Sequence, residues 1–181
     1  MQTAHELMLH GLSDILDGER QLVNALEKNA EQASRPELKK AFESHQAQTQ
    51  KQVERLQQVF ESLGEQPEDA ECKGIKGLIE EHETFMEEEE PSPDLADIES
   101  VIGAAKIEAY EIHEYEGLIR LAQQMGHRKA VQLLKQNLRE EQQTLKKMQG
   151  FSKKLKPDDM GMEEEQEEQP RAGRGRSRRA A

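Results

Sequence analysis

Glutamates interrupt three apolar stripes of this sequence, at positions where helical periodicity faces the interior of a protein. Glu19 belongs to a run of residues spaced three and four apart, which therefore share one helix face. The other members of this run are apolar: Leu12, Ile15, Leu16, Leu22, Val23 and Leu26. Glu108 and Glu141 lie in two further stripes of this kind. A buried carboxylate is costly unless it is paired or bound to a metal. The pattern therefore predicts a metal site between helices.

Two more residues complete a set of candidate ligands. Glu111 follows Glu108 by one helical turn on the same face, and His45 lies on the inner face of a fourth predicted helix. Bundles that hold two metals take a lone glutamate from each of two helices and a Glu-x-x-His motif from the other two. Carboxylate and imidazole ligands suit iron and manganese. We predict two iron ions per chain, with manganese as the alternative, and these ligands: Glu19, His45, Glu108, Glu111 and Glu141.

The match to this ligand pattern is incomplete on two helices. The inner positions near His45 are Gln48 and Gln52, and no glutamate lies beside them. Thr144 stands three residues after Glu141, where the pattern has histidine. Each glutamate also has a simpler explanation, as a residue at the edge of its stripe whose carboxylate reaches solvent.

Helical phase leaves some assignments open. Glu140 and Glu141 are alternative ligands, because sequence reading fixes the phase only to within about one residue. His45 alone fits a hydrogen-bonded core histidine as well as a ligand. His82, His113 and His127 are expected at the surface or at helix ends.

Composition indicates a helical and strongly acidic protein. The chain has 181 residues, a net charge of -12, four phenylalanines, two tyrosines and no tryptophan. Few aromatic and many Glu, Gln, Lys and Leu residues favour helices over strands. The negative charge argues against nucleic-acid binding by the folded part. One cysteine, no apolar run long enough for a membrane helix and no signal sequence predict a cytoplasmic protein with no membrane contact.

Four long helices are predicted, and their expected bounds are Thr3 to Ala33, Pro36 to Leu63, Asp94 to Gly126, and His127 to Lys156. Ser34 and Glu37 have the spacing of a capping box at the start of the second helix. Gly64 is a plausible residue to end it. A 28-residue helix is about 42 Å long, so a connection of some thirty residues must return along it.

The segment between residues 64 and 94 fits such a crossover, because it carries its own short amphipathic pattern from Cys72 to Met86. The second and third long helices are then parallel. The prediction is an all-α, ferritin-like four-helix bundle with a long crossover carrying a short helix between helices 2 and 3.

We expect the bundle to comprise residues 1–157 and the tail, residues 158–181, to be disordered. The tail is acidic and then basic, and it has no apolar periodicity. Its arginines, Arg171 to Arg179, are a candidate nucleic-acid contact through phosphates. A solubilising tail is the simpler interpretation.

The chain resembles the YciE/YciF family of bacterial ferritin-like proteins. The resemblance is carried by these stretches: Glu19-Arg-Gln-Leu22, Phe42-x-x-His45, Gln52-Val-Glu-Arg-Leu56, Cys72 to Glu80, Glu108-Ala-Tyr-Glu-Ile112, Leu133-Leu134, and Leu138-Arg-Glu-Glu141 with Thr144. It implies a rubrerythrin-like bundle, a di-metal site, a homodimer and a link to stress responses. The resemblance implies a Glu-Glu-Thr motif at the position where this chain has Ala47-Gln48-Thr49. By this comparison, Gln48 stands in place of a carboxylate.

Two functions follow as expectations. The first is a ferroxidase- or peroxidase-type activity, in which the bound metals oxidise Fe(II) with oxygen or peroxide. The second is a non-catalytic, stress-associated bundle with a degenerate metal site, which the loss of a carboxylate at Gln48 favours.

Overall fold

The computed structural model describes residues 1–154, which form five helices and no strand. The helices are α1 (Ala4–Gln32), α2 (Pro36–Leu63), α3 (Lys73–Glu89), α4 (Pro93–Gln124) and α5 (Arg128–Ser152). The four long helices agree with the predicted ones, although α5 ends at Ser152 rather than Lys156. The predicted domain boundary at residue 157 and the tail, 158–181, lie outside the described residues.

The long helices form two hairpins, α1 with α2 and α4 with α5, and the hairpins pack so that α1 contacts α4 and α2 contacts α5. The start of α2 lies beside the start of α4, since Arg35 forms an ion pair of 2.9 Å with Asp94. Helices α2 and α4 are therefore parallel, and α3 lies on the outside against α1 and α4. This is the predicted ferritin-like bundle, with α3 as the crossover helix.

The helix ends differ partly from the prediction. Gly64 does end α2, with a left-handed φ of 74° that glycine adopts without strain. The capping box predicted from Ser34 and Glu37 is wrong, because α2 begins after Arg35 without a side-chain cap. A capping box occurs instead at α1, between Thr3 and Glu6.

The hydroxyl of Ser34 is used in a tertiary contact. Asp97 of α4 is 3% exposed, and its carboxylate accepts hydrogen bonds from Ser34 N at 2.9 Å, Ser34 Oγ at 2.7 Å and Arg35 N at 3.1 Å. One buried carboxylate thus fixes the α1–α2 connection against the second hairpin.

Replacing Asp97 by alanine should lower the free energy of unfolding by about 3 kcal/mol, because it leaves several donors of the connection without their charged acceptor. Urea denaturation measures this loss. Asp94→Ala is the matched control, since Asp94 contacts the same arginine from an exposed position, and it should cost less than about 1 kcal/mol. Equal losses in the two variants would contradict the role given to Asp97.

The crossover is held closely against α1 where α3 begins. The backbone N–H of Cys72 donates to Asp17 at 2.8 Å, and Glu68 N donates to Ser13 Oγ at 2.9 Å. A Cβ at Gly18 would lie 2.5 Å from the Ile75 side chain, so glycine is needed for this approach. Within residues 1–154, no helix is both long and apolar enough to cross a membrane.

Candidate metal centre

The predicted ligands are all buried in the middle of the bundle, on the four long helices. Their exposed fractions are Glu19 1%, His45 5%, Glu108 0%, Glu111 1% and Glu141 1%. Glu19 comes from α1, His45 from α2, Glu108 and Glu111 from α4, and Glu141 from α5. These glutamates are therefore core residues, and the alternative of stripe-edge side chains that reach solvent does not apply to them.

Three of these side chains converge on one point. His45, Glu108 and Glu141 each offer a ligand atom, and the three atoms lie within 4.8 Å of one another. The contact between His45 Nε2 and Glu108 Oε1 is 3.0 Å. One imidazole nitrogen and two carboxylates from three helices make a donor set that suits iron, manganese or a similar divalent ion.

Several oxygens in this cluster lack hydrogen-bond donors among the described residues. They are Oε2 of Glu108, Oε1 of Glu111 and Oε2 of Glu141, together with Oε1 of Glu108, which His45 Nε2 approaches without the angle of a hydrogen bond. Buried polar atoms are almost always satisfied in folded proteins, so such a concentration requires an explanation. A bound cation would coordinate these oxygens directly. The residues present therefore fit a metal site.

The electrostatics of the cluster also favour cations. Burial, opposed by the Tyr115 hydrogen bond and reinforced by repulsion from Glu108, raises the pKa of Glu19 to about 8. Burial and repulsion between neighbouring carboxylates raise the pKa values of Glu111 and Glu141 well above the ordinary range. Positive charge between these groups would stabilise their ionised forms.

The ligand candidates are oriented by a second set of buried polar groups. The Tyr115 hydroxyl donates to Glu19 Oε1 and accepts from Asn137 Nδ2 at 2.8 Å. Gln52 Nε2 donates to Glu141 Oε1. These bonds restrict where the two carboxylates point, which is how outer partners of a metal site fix its ligands.

Arg55 extends this network, and its role was not predicted from the sequence. It is 9% exposed and donates to Asn137 Oδ1 and to Glu140, with an ion-pair distance of 2.9 Å to the latter. Glu140 is thereby directed to Arg55, whereas Glu141 is one of the three residues of the cluster, so the geometry favours Glu141 as the candidate ligand. The sequence did contain a signal for this role, since Arg55 follows Gln52 by three residues and therefore lies on the same face of α2.

The two departures from the ligand pattern meet in space. Gln48 Nε2 donates to Thr144 Oγ1 at 3.2 Å. A neutral amide–hydroxyl pair thus occupies position 48, where the family resemblance implies a carboxylate, and position 144, where a Glu-x-x-His motif starting at Glu141 would have histidine. Gln48 and Thr144 each lie one helical turn beyond a member of the cluster, His45 and Glu141, and neither side chain offers a charged ligand.

Comparison with known proteins identifies the family. The family described as a domain of unknown function, DUF892, matches residues 3–160. The chain is 39% identical over 145 residues to Protein YciF of Escherichia coli, covering 80% of this chain and 87% of that protein. The crystal structure of the E. coli stress protein YciF superposes with a TM-score of 0.81 at 35% identity, covering 90% of this chain and all of that one. YcfI from Rhodopseudomonas palustris superposes with a TM-score of 0.79 at 40% identity, covering 82% and 94%. The chain therefore belongs to the DUF892 family, which includes YciF.

Proposed function

We propose that this protein binds two iron ions within its bundle and uses them to oxidise Fe(II) with oxygen or peroxide. The observation that carries the proposal is the buried cluster of His45, Glu108 and Glu141, whose ligand atoms lie within 4.8 Å of one another. Manganese suits the same ligands and is the alternative metal.

The residues divide into two groups of ligands. His45, Glu108 and Glu141 would hold one ion, and Glu19 and Glu111 would complete the second position, with Glu108 available to both. When bound, the metals supply one-electron redox chemistry. The protein contributes four helices that fix the ligands in advance and a core that keeps bulk water from the ligand oxygens.

Tyr115 and Gln52 are positioning residues in this proposal. Tyr115 holds Glu19 through its hydroxyl proton, and Gln52 holds one oxygen of Glu141. Each leaves the second oxygen of its carboxylate available for a cation. Metal binding must displace the protons that burial retains on these glutamates, so it should release protons and strengthen as pH rises.

Elemental analysis of protein loaded anaerobically with Fe(II) and then desalted tests the proposal. Two iron ions per chain, followed by iron oxidation when oxygen or peroxide is added, is the expected result. Glu108→Gln should abolish both, whereas Glu116→Gln, on an exposed position of the same helix, should change neither. Iron near zero per chain would overturn the proposal.

The second candidate function is a non-catalytic, stress-associated bundle with a degenerate site. The hydrogen bond between Gln48 and Thr144 favours it, because neither side chain supplies a charged ligand. In this case, metal content would stay at one ion per chain or below, and no iron would be oxidised.

Replacing Gln48 by glutamate separates these alternatives. The new carboxylate should raise iron affinity at the weaker position by about tenfold, since a charged oxygen replaces a neutral amide beside the site. Isothermal titration calorimetry with Fe(II) under anaerobic conditions measures the iron affinity. Gln50→Glu adds the same charge at an exposed position of α2 and should have no such effect. Equal changes in both variants would contradict a role for position 48.

Location, a link to stress, the oligomeric state and nucleic-acid contact are also matters of proposal. A link to stress accords with the description of E. coli YciF as a stress protein, and a cytoplasmic location remains a prediction from the sequence. A homodimer, and nucleic-acid contact through Arg171 to Arg179, remain predictions from the sequence. The arginine segment lies outside the described residues.

A further inference from the structure

A pocket of about 340 Å³ lies between α1, α3 and α4, and it ends at the candidate metal centre. His45 and Glu108 line its inner end, and Lys28 and Glu83 lie at its outer side. Its apolar walls include Leu22, Leu26, Leu78, Ile79, Met86 and Ile107. The metal ions themselves do not require a space of this kind, since their ligands are already grouped.

The pocket is elongated along the helices. Its lining residues on α1 extend from Leu22 to Gln32, a rise of about 15 Å along the helix axis. An apolar cavity of about 150 Å³ holds one benzene molecule. The space is therefore sufficient for a molecule of roughly a dozen non-hydrogen atoms.

One polar side chain projects into the apolar part. Both ring nitrogens of His82 are shielded from solvent and lack a hydrogen-bond partner among the described residues. Burial lowers the pKa of His82, so the ring is neutral near pH 7, with one nitrogen able to donate and the other to accept. The sequence predicts His82 at the surface or at a helix end; the residue lies in the middle of α3 and is half-buried, with both ring nitrogens turned away from solvent.

The charges around the pocket select against anions. Glu83, Glu87 and Glu108 all line it. Lys28 also lines it, and its ammonium group is paired with Glu83 at 2.7 Å. A ligand carboxylate would meet more negative than positive groups, whereas a hydroxyl or carbonyl group would find a neutral partner at His82.

We propose that this pocket binds an uncharged, largely apolar molecule with a single hydroxyl or carbonyl group, which His82 recognises. The inner end of the molecule lies beside His45 and Glu108. Binding to the pocket does not require metal, so it can be tested independently of the function proposed above.

The test uses 1-naphthylamine, an uncharged, largely apolar molecule of about the size that the pocket holds, whose fluorescence shifts to shorter wavelength in apolar surroundings. We expect one saturable site per chain in metal-free and metal-loaded protein, from which 1-decanol displaces the probe. Decanoate has a chain of the same length and a negative charge, so it should displace the probe at least about tenfold more weakly. Displacement by decanoate as effective as by decanol would overturn the ligand class.

Gly103 offers a variant that fills the pocket. A Cβ there would lie 3.7 Å from Nδ1 of His82, so the outer atoms of Gly103→Leu would occupy the space in front of that ring. The variant should lower probe affinity at least about tenfold. Gly117→Leu makes the same change on the same helix, where a Cβ meets nothing within 4 Å, and should leave binding unchanged.

His82→Leu tests the recognition of the polar group separately. It should retain the probe but weaken displacement by 1-decanol by about fivefold, since one hydrogen bond is lost. Unchanged displacement would remove His82 from the proposal. If probe binding per chain falls as the protein self-associates in sedimentation experiments, the pocket is an interface between copies and the proposal is wrong. Binding without iron uptake would leave the pocket proposal standing and reject only the proposed oxidation.

Discussion

Replacing Glu111 by glutamine is expected to make the metal-free protein more stable at pH 8 and, at the same time, to weaken its iron binding about 100-fold. Burial, followed by repulsion from Glu19 and Glu108, raises the pKa of Glu111 well above its ordinary range. Above about pH 4.5 the unfolded chain gains more free energy by ionising this carboxyl group than the folded chain does, because burial and the neighbouring carboxylates oppose the charge in the fold. Glutamine removes that difference while keeping the shape, so stability should rise by about 2 kcal/mol.

Urea denaturation at two pH values checks the stability change. At pH 5, close to the ordinary pKa of a glutamate, the unfolded chain gains little by ionising this group, so the variant and the original protein should differ less than at pH 8. Glu116→Gln, on the exposed face of α4, should change stability by less than about 0.5 kcal/mol at both pH values. A variant less stable than the original protein at pH 8 would mean that Glu111 is stabilised in the metal-free fold by a partner that the geometry does not contain.

The stability of the metal-free protein should fall by several kcal/mol between pH 5 and pH 9. The pKa of Glu19 is raised from 4.5 to about 8, and burial raises the pKa values of Glu111 and Glu141 well above their ordinary range. The folded state therefore retains protons that the unfolded chain releases above about pH 4.5. A raised carboxyl pKa contributes stability fully below the unfolded value, and this is lost as pH rises through the folded value.

Metal should reverse this trend, because cations bind the ionised carboxylates and become better competitors against protons as pH rises. Thermal denaturation from pH 5 to pH 9, with and without iron, measures both effects. Glu19→Gln is the control, since the amide oxygen can still accept from Tyr115 but no longer titrates. This variant should reduce the pH dependence of the stability of the metal-free protein by the contribution of one carboxyl group. A metal-free protein whose stability rises steadily through this range would contradict the assigned shifts.

Much of the bundle and the candidate ligands could be predicted from the sequence, because both depend on helical periodicity. Glu19 and Glu141 are buried where their stripes place them, and α2 has the predicted bounds from Pro36 to Leu63. Local patterns determine such features, and these patterns are visible without knowledge of the neighbouring helices.

The features that escaped prediction depend on partners far away in the chain. The Ser34 hydroxyl bonds Asp97, 63 residues away, instead of capping α2. Arg55 reaches Glu140 across 85 residues. His82 lines a pocket because α3 lies over α1 and α4, and no spacing within α3 reveals that placement. Polar side chains at helix ends and edges have several local alternatives, and only the tertiary fold selects one.

The packing of the crossover helix has a consequence for motion. Among the residues of α3, Ile75 alone is fully buried, and it lies next to the Gly18 contact at the helix's beginning. The later turns of α3 cover the pocket with half-exposed side chains and an ion pair at the solvent boundary. Local opening is easiest where few apolar contacts must be broken. We therefore expect the later turns of α3 to open before the four long helices do, so that hydrogen exchange is faster in α3 than in the helices that carry the buried glutamates.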